Sequence, residues 1–368
     1  MIGASNHTAD AALVLKSYGV FWNSVRRGTI GFAESFIAGE CETSDLPALF
    51  RFFIDNRQTL SSAGRGHFKV RARDRNYHAA RANSREGSRD NIAAHYDLGN
   101  AFYACWLDAS MTYSSALFTA PGMTLEAAQT AKYDLIFDAL TVQAGHRILE
   151  IGCGWGACAA RLASYGAMVT GLTLSRQQFD AAQTRLAGLR LSEAADIRIE
   201  DYRDTTGTFD RIVSIEMIEA VGEENWPDYF AALRDRLAPD GIAVVQAITI
   251  QPSIFDEYRR KADFIQRYIF PGGMLPTERS LAEHAAAAGL TFERVATFGA
   301  SYVETLGTWR QRFHAAWPRI EALGFDDRFR RTWDYYLAYC EAGFDRGAID
   351  VGVYRFQRTS APDASLNT

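Results

Sequence analysis

Cysteine is scarce in this chain, and what there is does not pair. Five cysteines stand at 41, 105, 153, 158 and 340, an odd number with no C-x-x-C spacing, so neither a zinc site nor a disulfide framework is indicated. The compartment expected from this is a reducing cytoplasm. Long apolar runs are missing too. None reaches the roughly 18 residues of a membrane span, and Met1 to Asp10 lack the basic stretch and apolar core of a secretory leader. Nor is there an excess of positive charge. The formal net charge is −5, which excludes a nucleic-acid binder acting through bulk electrostatics.

What is present suits a folded chain of one large and one small unit: 368 residues, 48% hydrophobic and 23% charged. Such a length buries a substantial core without disulfides or metal. Residues 1–64 form the small N-terminal unit, closing on a helical-looking stretch from Leu46 to Ile54. Residues 65–90 then change character, with eight Arg or Lys against three acids among Ser, Asn and Gly. Two readings stand: a solvated linker, or a patch for anionic head groups, each near-surface base contributing about 1 kcal/mol.

Residues 91–368 alternate strand-like and helical patterns. Arg147 to Glu150, Met168 to Leu174, Ile197 to Ile199, Arg211 to Ile215 and Ile242 to Ile250 are short, apolar and β-branched, as buried parallel strands are. Helical stretches at Ala157 to Tyr165, Arg176 to Leu186 and Trp226 to Leu237 lie between them. This order predicts an α/β fold, a doubly wound Rossmann-like domain preceded by a smaller α+β domain. The aromatic-rich C-terminal third is expected to be mostly helical, with a late strand from Val351 to Phe356.

The first of these strands runs into Gly152, Gly154 and Gly156, a G-x-G-x-G turn that opens a helix. Glycines let a backbone approach a ligand, and a helix N-terminus offers free N–H groups. A purely structural strand-to-helix turn would also use them. The preceding Glu150 could hold the cationic amino-acid end of a sulfonium cofactor, and no phosphate need be accommodated. That favours S-adenosylmethionine over a dinucleotide. The second strand ends Thr173-Leu174-Ser175 without an acid for the ribose. At the end of the third, Asp201 and Tyr202 could edge the adenine, or Asp201 could be a surface turn acid.

Several blocks carry a resemblance that spans nearly the whole chain. They are His95-Tyr96-Asp97-Leu98-Gly99-Asn100, Met111 to Ala116, Leu149 to Gly156, Gly171 to Gln178, Phe209 to Ser214, Tyr268 to Gly273 and Phe298 to Tyr302, with Gly31 to Phe36 in the small unit. On these the chain resembles the cyclopropane-fatty-acyl-phospholipid synthases, which include mycolic-acid cyclopropane synthases. The resemblance implies a class I methyltransferase domain that moves a methyl group from S-adenosylmethionine to the double bond of an unsaturated phospholipid acyl chain. A bound bicarbonate then takes a proton as the ring closes. It implies cofactor contacts at Tyr96, Tyr113, Ser114, Thr173, Leu174, Gln178 and Tyr202. Glu219 matches the glutamate that orients bicarbonate, Tyr302 the active-site tyrosine, and Ile248 a backbone contact. The expected setting is the cytoplasm, at the inner face of the membrane, and a homo-oligomer is compatible with it.

Three departures bear on the product. Ser115 stands where the family usually has Cys, Ala220 follows the glutamate where the family has His, and Gln246 replaces the bicarbonate-binding His. Serine and glutamine can donate hydrogen bonds to an oxyanion. A neutral amide brings neither charge nor a proton relay. Bicarbonate is therefore in question, and a methylene- or methyl-branched chain becomes the alternative to a ring. Two other classes remain: a small-molecule C- or N-methyltransferase, and a lipid-binding protein with a relic cofactor fold.

Overall fold

The structure, a computed structural model, describes residues 11–57 and 98–359, with single positions at 59 and 87. Tyr96 and, Gly87 apart, the basic segment 65–90 lie outside the described residues. The N-terminal unit is an antiparallel ribbon, β1 (Leu13–Leu15) with β2 (Cys41–Thr43), and two helices, α1 (Gly19–Ile37) and α2 (Leu46–Asp55). Asp45 caps α2 by accepting from the Ala48 N–H, as its place before a Leu-Pro start invites.

After α3 (Asn100–Tyr103) and α4 (Leu125–Leu140) the main sheet begins. Its strands are β3 (Arg147–Ile151), β4 (Met168–Thr173), β5 (Ala195–Ile199), β6 (Phe209–Ile215), β7 (Leu237–Ile250), β8 (Glu293–Thr297) and β9 (Ile349–Gln357), in the spatial order β5-β4-β3-β6-β7-β9-β8. The first five are parallel, whereas β9 pairs antiparallel with both β7 and β8. The expected doubly wound domain is present, with an antiparallel pair on one edge. The crossover helices are α5 (Ala157–Ser164), α6 (Arg176–Gly188) and α7 (Trp226–Arg236). Chain order reverses around β3, so the crevice above its carboxyl end is the natural ligand site.

Over that end lie α8 (Pro252–Tyr258) and α9 (Phe264–Tyr268), followed by α10 (Glu278–Ala287), α11 (Gly299–Ala315), α12 (Trp317–Ala322) and α13 (Asp327–Asp345). Aromatics recur at helical spacing in α13, and Phe325, Phe329 and Trp333 stack at 4.3 and 5.3 Å. On its next face Tyr335 is a hub. Phe50 of α2 lies 4.7 Å from it, Phe36 of α1 5.6 Å, and Phe264 of α9 4.4 Å. Arg331 adds hydrogen bonds to the Phe36 and Cys41 carbonyls, both 2.7 Å. The N-terminal unit therefore shares the core of the large domain.

One glycine shapes α1. Gly28 has φ 61° and ψ −139°, which breaks the helix in two. The halves fold together so closely that a Cβ on Gly31 would meet the Asn23 carbonyl oxygen at 2.0 Å. An Asn23–Ser35 hydrogen bond of 2.9 Å and an Arg27–Glu34 ion pair hold the fold-back.

Candidate active site

The glycine turn leaves β3 with Gly152, Gly154 and Gly156 all at positive φ (82°, 51° and 77°). A Cβ on Gly154 would stand in open space at the cavity wall, whereas one on Gly156 would meet the Ala182 Cβ at 2.9 Å. Gly156 thus lets α5 pack on α6 and does not line the cavity, which separates it from the cofactor contact expected of it. Glu150, Thr173, Leu174, Gln178, Asp201 and Tyr202 all reach the cavity wall. Thr173 Oγ1 donates to Gln178 at 2.8 Å and accepts from the Ser175 N–H, fixing the end of β4. Asp201 is buried and grips Arg203 through both carboxylate oxygens, at 2.8 and 2.6 Å.

Glu150 is buried, and one of its oxygens has no partner among the described residues. Burial pushes its carboxyl up to about 8, against the Cys158 thiol and the Lys132 ammonium. An unpartnered buried oxygen beside a glycine turn fits a cationic ligand group. Ser114 does not reach this cavity. Its hydroxyl accepts from Lys132 Nζ at 2.6 Å, and its carbonyl accepts from Gln129 at 2.8 Å. The sequence expectation of a Ser114 cofactor contact is corrected accordingly, because Lys132 turns the hydroxyl into the core. Tyr113 lines the wall, with its hydroxyl 2.7 Å from that of Tyr336.

The cavity measures about 1640 Å³, larger than the roughly 300–1,000 Å³ of a single-ligand pocket. Beyond the glycine turn its wall becomes apolar and aromatic, with Ile248, Phe270, Leu306, Tyr336 and Phe344, and it continues to α1 at Phe21 and Val25. Room for a cofactor and a long apolar chain is thus continuous.

Between the two ends sits a group the sequence reading passed over. Glu216, just past β6, lies on the cavity wall and receives three hydrogen bonds: Ser115 N–H at 2.8 Å, Gln246 Nε2–H at 2.6 Å and Tyr302 O–H at 2.7 Å. Ser115 and Gln246 stand behind it, away from the cavity. The sequence reading put Glu219 and Tyr302 together near Ser115 and Gln246, with Glu219 orienting the proton acceptor and bicarbonate in question, and the geometry differs from it in two respects. Among the described residues the three donors converge on the Glu216 side chain. Ser115 contributes its backbone N–H, since its hydroxyl donates to the Ala116 carbonyl at 2.9 Å. Glu219 instead accepts from the Ile248 N–H, and its second oxygen has no partner among the described residues.

The two glutamates are electrostatically unequal. Burial pushes Glu216 above the ordinary carboxylate range, but the Ser115 N–H, the Tyr302 hydroxyl, the Lys132 ammonium and the Gln246 amide all pull it back. Glu219 is pushed to about 8 by burial and by the charge of Glu216, with the Ile248 N–H its main relief. Neighbouring buried carboxylates resist ionising together. Three hydrogen bonds and the Lys132 ammonium favour the charged form of Glu216, whereas burial and the neighbouring charge favour the protonated form of Glu219. Glu216 also has φ 48°, a backbone conformation favouring glycine and costing other residues roughly 1–2 kcal/mol. Its signal in the sequence was an acid at the carboxyl end of a buried strand beside the cofactor strand.

Residues 83–354 match the mycolic acid cyclopropane synthetase family. Over 98% of this chain, and 86% of the other, the sequence is 38% identical to the tuberculostearic acid methyltransferase UfaA1 of Mycobacterium tuberculosis. The cyclopropane-fatty-acyl-phospholipid synthase of Escherichia coli is 34% identical over 96% of this chain and 90% of its own. Among solved structures, the mycolic acid cyclopropane synthase CmaA1, in complex with SAH and CTAB, superposes with a TM-score of 0.68 at 33% identity, covering 73% of this chain and 98% of that one. A glycine turn at the switch point, a cavity of two halves and these likenesses lead to one assignment. The chain belongs to the mycolic acid cyclopropane synthetase family and is an S-adenosylmethionine-dependent methyltransferase.

Proposed function

We propose that the protein transfers a methyl group from S-adenosylmethionine to the double bond of an unsaturated acyl chain in a membrane phospholipid, working at the cytoplasmic face, and that Glu216 takes the released proton. The observation carrying this reading is the meeting of Ser115, Gln246 and Tyr302 on Glu216, in a cavity that runs from the glycine turn into an apolar channel. The relatives named for acyl-lipid substrates support it.

When bound, S-adenosylmethionine supplies an electrophilic methyl group, and its addition to the π pair of the olefin leaves a carbocation on the neighbouring carbon. Tyr302, Phe344 and Tyr336 keep water from that cation and offer it their ring faces. Tyr302 and Phe344 stand 4.4 Å apart. Glu216 then removes a proton from the added methyl group, and the freed C–H pair closes a cyclopropane. The carboxylate becomes a carboxylic acid and later loses its proton to solvent. Bicarbonate has no role in this scheme, because a side chain holds its donors.

A second product is favoured by the 38% identical relative named for tuberculostearic acid. A hydride shift to the cationic carbon, followed by loss of the same methyl proton, gives a methylene branch. The test is incubation with labelled cofactor and either unsaturated phospholipid vesicles or soluble amine acceptors. Label in the acyl chain is expected. Label confined to the soluble acceptor sinks the reading. Hydrogenation followed by fragmentation mass spectrometry separates ring from branch.

A further inference from the structure

The cavity reaches the surface beside the first half of α1, and that half faces outward. Tyr18 is 91% exposed, Trp22 62%, Phe21 61%, and Val14 and Leu15 of the adjoining ribbon more than half. Beyond the Gly28 break, the second half of α1 buries Ile30, Phe32, Phe36 and Ile37 in the core. The sequence from Ala11 to Ala33 contains Lys16, Arg26 and Arg27 and no acid. Lys16 pairs with Glu42 and Arg27 with Glu34, while Arg26 has no acidic partner among the described residues. Phe21, Arg26 and Arg27 border the cavity itself. An aromatic and aliphatic tip held on a folded-back helix, with Glu42 and Glu34 neutralising two of its bases and Arg26 left over at the cavity mouth, has the chemistry of an element that lies in a membrane interface. It is also continuous with the opening an acyl chain would have to enter.

We propose that residues 13–27 form the face that docks on an anionic phospholipid bilayer. Tyr18, Phe21 and Trp22 enter the head-group and upper acyl layer, and Arg26 meets lipid phosphates beside the cavity mouth. This rests on the acyl-lipid reading above and adds to it the surface by which the lipid is met.

The wild-type protein and the double variant Tyr18→Ser/Trp22→Ser, neither residue lining the cavity, are compared by sedimentation with vesicles containing phosphatidylglycerol or only phosphatidylcholine. The wild type should prefer the anionic vesicles, and the variant should lose at least tenfold in partition. Its methyl transfer to detergent-dispersed lipid should stay within twofold of wild type. Because Trp22 is the exposed tryptophan among the described residues, its emission should shift to the blue on anionic vesicles and be quenched by brominated acyl chains. Unchanged partition in the variant, an unshifted Trp22 emission or equal binding to both vesicle types overturns the proposal. So does a dimer in solution that the variant abolishes, which assigns the face to a second copy of the chain. Methyl transfer that spares acyl chains in detergent would instead refute the acyl-lipid reading, which is a separate result from loss of vesicle binding.

Discussion

Replacing Glu216 by glutamine changes one atom of the carboxylate and removes its charge. The glutamine oxygen can still accept from Ser115 and Gln246, whose hydrogen bonds now run to one carboxylate oxygen at 2.8 and 2.6 Å. The new amide nitrogen can donate to Tyr302 in place of the bond that Tyr302 makes today. The fold should therefore survive, while the proton acceptor is lost. Removing a positioned acid–base group commonly lowers rate by about 10²–10⁴, so Glu216→Gln should fall in that range with cofactor affinity near normal. Glu216→Gly separates chemistry from scaffold. Glycine relieves roughly 1–2 kcal/mol of left-handed backbone cost at φ 48°, partly offsetting the lost hydrogen bonds, and it empties the space before three donors. Turnover is read by mass spectrometry of the acyl product, with bicarbonate or formate added. Small carboxylates should partly rescue the glycine variant and leave the glutamine variant unmoved, because its amide fills the space. Stripping carbonate should not slow the wild type. Full activity of Glu216→Gln, or a wild type that stops without carbonate, refutes the assignment.

Three further outcomes follow from the same geometry. Gly154→Val forces a branched residue to φ 51° at the cavity wall, so titration calorimetry should find S-adenosylmethionine binding lost while circular dichroism is unchanged. Lys132→Met removes the buried ammonium that holds Glu216 down, so the acidic limb of the rate–pH profile should move to higher pH. Burial and the charge of Glu216 push Glu219 up to about 8, from the ordinary carboxylate value of about 4.5. The native state then holds a proton the unfolded chain releases, and this contribution is full below about 4.5 and lost as pH rises to 8. Glu219→Gln should flatten the fall in Tm across that window, by about 1.4 kcal/mol per pH unit in stability; an unaltered slope counts against a protonated Glu219.

Much of the fold was legible because buried parallel strands announce themselves. Ile148-Leu149 and Val213-Ser214 sit where the apolar runs put them. The antiparallel β8–β9 edge was not, since pairing direction depends on partners distant in sequence. In the site, Glu150, Thr173, Gln178, Tyr202 and Tyr302 were expected from strand ends and motif positions, and all of them line the cavity. Ser114 was misassigned because a serine hydroxyl has several reachable partners, and Lys132 competes from 18 residues away. Glu216 was missed because Glu219, three residues on, already held the expected role. No local pattern reveals which of two nearby acids the Ser115, Gln246 and Tyr302 donors converge on from three distant segments.

A carboxylate carried on the backbone has no dissociation constant. With Glu216 as the proposed base, held 2.6 to 2.8 Å from its three donors, its local concentration is that of an intramolecular partner, and effective molarities of well-placed groups reach about 10⁵–10⁸ M. An enzyme that borrows a dissolved anion runs at a rate tied to the supply of that anion, and so to carbon dioxide tension. This chain would turn over lipid at a rate indifferent to it.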